Sequence, residues 1–113
     1  PDGSLYVSDW VNGWNGEGKG RLYRFFDPDE RVQKIAQETK GLLAQAWQDC
    51  SAAQLVTLLS HADRRVRMEA HFELAKRSDV ESLKTLLSVE SNEANSLARL
   101  HAVWALGMIS RQA

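Results

Sequence analysis

Three histidines, one carboxylate beside two tryptophans and a cluster of arginines are the residues here whose types suit chemistry. His61, His71 and His101 are all the histidines of the chain. Imidazoles bind metals and move protons, but a metal site needs several such ligands at set spacing. Aligned on the internal repeat described below, His71 falls opposite Val103 and His101 opposite Glu69, so the two do not recur at one position. No Cys or His stands at ligand spacing from another. The expectation is therefore histidines on a helix flank or in a turn, with His61 contacting local backbone just ahead of Asp63. No metal-ligating set and no nucleophile–base–acid set can be assembled.

Asp9, Trp10 and Trp14 are the candidate cofactor-binding residues. Asp9 ends a strand-like run and adjoins Trp10 at the mouth of a glycine-rich stretch. Loops on a rigid scaffold often carry function, although an Asp in this place also bonds its own turn backbone. Trp10 and Trp14 either stack a sugar or cofactor or pack against the first helices. Arg64, Arg65 and Arg67 read as two exposed side chains and one paired. Asp63 reads as a helix cap that pairs with an arginine. "GWNGEGKGR" lacks phosphate-loop spacing, because Lys19 is followed by Gly20 rather than Ser or Thr. Cys50 is the single cysteine, which excludes an internal disulfide and any CxxC or CxxCH site within these residues. It reads as a buried or spectator thiol.

These residues must be positioned by something, and 113 residues leave room for one small domain or parts of two. Hydrophobic residues make up 43% and charged residues 26%, both ordinary for a globular chain. A net charge of −1 gives no electrostatic footprint for nucleic acid or for an anionic membrane surface. No apolar run reaches the ~18 residues that span a bilayer.

The chemistry of the chain changes near residue 27. Before it lie most of the glycines, two of the four tryptophans and both tyrosines. Leu5–Ser8 and Arg21–Phe26 are strand candidates, joined by a glycine-rich loop. A lone hairpin is marginal in water, so a larger sheet is expected around it. The opening "PDGSLYVSDW" thus reads as the interior of a β domain, and the chain as a piece of a longer protein.

Helix chemistry follows. Asp27 is the expected cap and Pro28 the first helical residue of a helix carrying Val32, Ile35 and Ala36, with Gly41 as an expected break. Ser51 with Gln54 forms a capping-box pattern ahead of Leu55–Leu59. Asp63, Ser78 or Asp79, and Asn95 are the next caps. Trp47 and Trp104 lie on apolar stripes and are expected in the core, as is Leu74.

The repeat is the most informative signal. "LVTLLS" at 55–60 returns as "LKTLLS" at 83–88, and "VRMEAHFELA" at 66–75 returns as "ARLHAVWALG" at 98–107. This predicts two helical hairpins with their second helices side by side, the second hairpin having a longer internal loop around 91–94. Ala70 and Ala102 let helices approach closely. Leu106, Met108 and Ile109 imply a further repeat, since stacked repeats need about three for stability.

Asp-x-x-Val-Arg-x-x-Ala-x-x-x-Leu at 63–74, with its copy Asn-x-x-Ala-Arg-x-x-Ala-x-x-x-Leu at 95–106, resembles a HEAT repeat. "PDGSLYVSDW…GKGRLYRF" resembles a blade segment of the six-bladed propellers of sorbosone/glucose dehydrogenase-like and NHL-like type. Together they are similar to the large membrane-bound dehydrogenase-type proteins of planctomycetes and verrucomicrobia. The expected fold class is mainly α: a HEAT-like helical hairpin solenoid preceded by a β-hairpin from the end of a β-propeller. The expected domains are a terminal blade segment at 1–27, a helical linker at 28–50 and HEAT-like repeats at 51–113, divided into 51–77 and 78–110.

The resemblance also implies an exported, periplasmic redox parent, with haem c and a quinone bound outside these residues. Its partners would be the rest of the propeller, further HEAT repeats and another protein on the solenoid face. The alternative is a non-enzymatic interaction scaffold.

Overall fold

A computed structural model describes residues 2–9 and 20–112. By contacts the chain divides into two compact units, Pro1–Gly41 and Leu42–Ala113. The described residues are mainly helical, with one small antiparallel hairpin.

In the first unit, β1 (Leu5–Asp9) pairs antiparallel with β2 (Arg21–Phe25). The register runs from Leu5 opposite Phe25 to Asp9 opposite Arg21. β-branched and aromatic residues favour this pleat, but every residue of both strands is exposed. Side chains tie the entry to the hairpin. The Tyr6 hydroxyl donates to Asp2 Oδ2 at 2.7 Å, and Arg24 Nε donates to Ser4 Oγ at 2.9 Å. The Tyr6 bond, then the Ser4 amide, hold the Asp2 carboxyl down to about 2. Gly3 has φ +74, and a Cβ there would lie 2.8 Å from Ala36 Cβ. Both the backbone and the close approach therefore require glycine.

α1 (Glu30–Ala44) follows. Its first residue lies two past Pro28, the expected first helical residue. The Asp29 carboxylate takes the Arg31 amide at 2.8 Å and also holds the Arg31 guanidinium. Asp27 instead accepts from the Asp29 amide at 2.9 Å, and Pro28 precedes the helix. Gly41 does not break α1, which runs through it to Ala44. A helical glycine costs only about 1 kcal/mol relative to alanine, which flanking helix formers offset.

The second unit holds a 3-10 turn at Trp47–Asp49, α2 (Ala52–Leu58), α3 (Arg64–Lys76), α4 (Val80–Ser88) and α5 (Ser96–Ser110). Ser51 and Gln54 complete the capping box of α2, with Gln54 N donating to Ser51 Oγ at 3.2 Å and Ser51 N donating to Gln54 Oε1 at 2.8 Å. Asp63 caps α3 through the Arg65 amide at 2.8 Å, and Asp79 caps α4 through the Ser82 amide at 3.1 Å. Between them the end of α3 closes on Ser78, whose φ of 54 is left-handed. The Ser78 and Asp79 amides donate back to Ala75 O and Leu74 O at 3.0 and 3.1 Å, so the last carbonyls are satisfied.

Asn95 departs from the expected pattern. It stands at the cap position of α5 but makes no capping bond. Its Oδ1 accepts from the Asn92 amide and its Nδ2 donates to Glu90 O, both at 2.9 Å. The longer loop has captured the side chain.

α3 packs against α2 and α5, and α4 against α5 and α2. The core is Leu55, Leu59, Val66, Ala70, Leu74, Ala75, Leu83, Ala98, Ala102 and Ala105. The alanines at 70, 98, 102 and 105 bring α3 and α5 together. Leu106, Met108 and Ile109 pack against this same core rather than standing free. The apolar residues that α5 leaves exposed are Leu97, Leu100, Val103 and Trp104. Trp104, expected in the core, is 50% exposed, because the core side of α5 is taken by its alanines. Trp47 is partly buried against the core.

Candidate functional site

The polar centre of the second unit is built from Arg67, His71 and His101. Arg67 lies one turn into α3 and is buried. Its Nη1 donates to His61 O at 2.7 Å and to Ala62 O at 2.8 Å, in the turn after α2. Its Nε donates to His101 Nε2 on α5 at 3.2 Å. His101 Nδ1 meets His71 Nδ1 on α3 at 2.8 Å. His71 and His101 are 3% and 2% exposed. Phe72 stands edge-on to His71 at 4.4 Å between centroids. The Trp104 ring stands edge-on to His101 and His71 at 5.2 and 6.0 Å.

Burial disfavours the charged imidazole, and this environment adds like charge. Burial first and His101 second hold His71 well below its ordinary value of 6.5, down to about 4. Burial first, then the charges of Arg67 and Arg64, lower His101. Both rings are neutral at pH 7. Such a pair relays hydrogen bonds and fixes two helices in register.

An open groove of about 720 Å³ runs beside the pair, lined by His71, Phe72 and Met68 from α3 and by Val103, Trp104 and Met108 from α5. Arg111 also lines it. A second concavity of about 380 Å³ adjoins Gln45, Cys50 and Leu58. The Gln45 amide nitrogen is buried without a hydrogen-bond partner among the described residues. No group of three or more His, Cys, Asp or Glu gathers as metal ligands among the described residues.

Two further arginines repeat the work of Arg67. Arg99 Nη1 on α5 donates to Leu87 O at 2.7 Å and Val89 O at 2.5 Å, at the end of α4. Arg77 donates to Cys50 O at 2.7 Å and to Trp47 O and Gln48 O at 3.0 Å. Glu73 holds Arg77 from below at 2.8 Å. The last carbonyls of a helix lack intrahelical partners, and a guanidinium with several donors satisfies them at one stroke.

Of the sequence candidates, Asp9 stands exposed at the end of β1 opposite Arg21. Trp10 and Trp14 lie outside the described residues. His61 keeps to its turn, its Nδ1 accepting from the Asp63 amide at 3.0 Å. Asp63 pairs with Arg65 at 2.6 Å, and this bond holds its carboxyl down to about 2. Arg64 is exposed, but Arg67 is a buried clamp rather than a surface charge. His71 and His101 do not lie on a flank. Their pairing escaped the repeat alignment, which compares equivalent faces, whereas stacking joins opposite ones. One signal was present: His71 follows Ala70 and His101 precedes Ala102, mirrored about the close approach.

No protein-family model, curated protein or solved structure matches this chain.

Proposed function

We propose that the chain joins the end of a β-propeller to the first repeats of a HEAT-like solenoid, and that it serves as a structural and protein-interaction module. The observation that supports this most is the packing of α3 against α5, with an arginine clamp at the same place in both hairpins. In a solenoid each unit is covered by its neighbour. The exposed Leu97, Leu100, Val103 and Trp104 of α5 offer the surface for the next helix or for a bound protein. A photo-crosslinker placed at Val103 in the full-length protein tests this. Adducts with a later helix of the same chain, or with a specific bound protein, are expected. Adducts with solvent alone would overturn the reading.

A redox parent is the reading of the whole protein. It rests on the likeness of the opening and repeat segments to the membrane-bound dehydrogenase type. The hairpin adds support, since Leu5, Val7, Leu22 and Phe25 are exposed as strand residues of a larger sheet would be once separated from it. Covalent haem in the purified full-length protein, seen by absorbance and haem staining, is expected. A parent without haem would leave the scaffold reading in its place.

A further inference from the structure

Between Arg67 Nε and the facing nitrogens of the two imidazoles there is no place for an added proton, and the Arg67 backbone beside His71 only partly offsets this. An arginine Nε–H only donates, so His101 Nε2 accepts at 3.2 Å. A neutral imidazole carries one N–H, which places that of His101 on Nδ1. The 2.8 Å contact therefore runs from His101 Nδ1–H to His71 Nδ1. The hydrogen of His71 is left on Nε2. A proton added at His101 Nε2 sets donor against donor beside the Arg67 charge. A proton added at His71 Nδ1 does the same across the shared contact. Switching the tautomer of His101 to accommodate it moves the conflict to Arg67.

Among the described residues the charges that act on the rings are His101 on His71, and Arg67 and Arg64 of α3 on His101, with no carboxylate among them. Arg111 lines the groove that His71 lines. His61, in the turn before α3, has its ring engaged by the Asp63 amide. Asp63 is held by Arg65 and Glu73 by Arg77. α2 carries no ionisable side chain. Among the described residues no carboxylate bonds either ring.

We propose that His71 and His101 form an acid-sensitive latch between α3 and α5, in which proton uptake breaks the ring-to-ring bond and releases the two helices that wall the groove. The latch depends on the packing of α3 against α5 and not on the propeller or haem reading. Its sign follows from linkage. The unfolded chain takes up protons at the ordinary value of 6.5, while folded His71 resists to about 4. The stability held by the pair is therefore complete above 6.5 and lost as pH falls toward about 4. His71, kept neutral, costs roughly a tenfold loss in folding equilibrium constant per pH unit through that window.

The test uses the whole chain with ¹⁵N-labelled histidine. At about pH 7.5, opposite tautomers are expected, with N–H on Nδ1 of His101 and on Nε2 of His71, and neither ring should titrate near the ordinary histidine value. Between about pH 7.5 and about pH 5 the melting temperature should fall, and α3 and α5 amides should lose exchange protection ahead of α2. His101→Gln keeps an acceptor for Arg67 and a donor for His71 but takes up no proton, so its acid-induced fall should be smaller than that of the wild type. Ordinary titration of both rings, or a melting temperature unchanged by acid, would overturn the latch. So would a His101→Gln protein that keeps the full fall. The ring titration needs no variant and decides the matter if His101→Gln does not fold.

Discussion

Arg67 and Arg99 occupy matching places in α3 and α5, and each donates to backbone carbonyls ahead of its own helix, Arg67 to the turn after α2 and Arg99 to the end of α4. Around them the two hairpins diverge. Asp63 caps its helix, while the side chain of Asn95 is drawn into a longer loop. His71 is buried against α5, while Val103, its repeat equivalent, is 54% exposed. Leu74 is fully buried, while Leu106 is only partly so. The arginine persists because its partners are backbone carbonyls, which any sequence supplies. Caps and side-chain pairs depend on loop length and on what lies next door.

Substitutions made in pairs test this contrast by denaturant unfolding of the chain. The largest difference is expected in the core. Leu74→Ala should cost about 2–5 kcal/mol, as for a fully buried leucine. Leu106→Ala should cost about 1 kcal/mol, since less apolar area is withdrawn from water. Equal losses would mean that the two positions are equally enclosed. Next come the clamps. Arg67→Ala removes three hydrogen bonds and strands the acceptor nitrogen of His101, at a cost of about 2–3 kcal/mol. Arg99→Ala, at a more exposed helix end, should cost about 1 kcal/mol. A larger loss at Arg99 would reverse the order given by burial. The smallest effects belong to the caps. Asp63→Ala should cost about 1 kcal/mol. Asn95→Ala should cost about 0.5 kcal/mol, from loop bonds open to water. If Asn95 matched Asp63, its side chain would be capping in solution after all.

Local signals carried much of the architecture. The alternating strands, the Ser51–Gln54 box, the Asp63 cap and the burial of Leu74 depend on neighbours within one turn or on a single apolar face, and each was legible. The doubled segments also placed four helices between 51 and 110. What could not be read depended on distance or competition. Asp29 outcompeted Asp27 as a cap because it binds both the amide and the guanidinium of Arg31. Trp104 lies on an apolar stripe, but small alanines filled the inner side of α5 and left the indole at the surface. The histidine pair was hidden because its members come from opposite faces of successive units. Asp9 is in place at the end of β1 without a site assembled among its described neighbours, and Trp10 and Trp14 lie outside the described residues.

The arginine clamps also bear on how a protease meets this chain. Trypsin must draw a lysine or arginine side chain into a deep acidic pocket before it can cut. Arg67, Arg77 and Arg99 have their guanidinium groups spent on backbone carbonyls, so each must be released first. Lys76 and Lys84 are exposed and have less to release. Brief digestion should therefore nick the chain at such lysines while the bonds after the three clamped arginines survive. The order in which fragments appear becomes a clock for how long each helix end stays fastened.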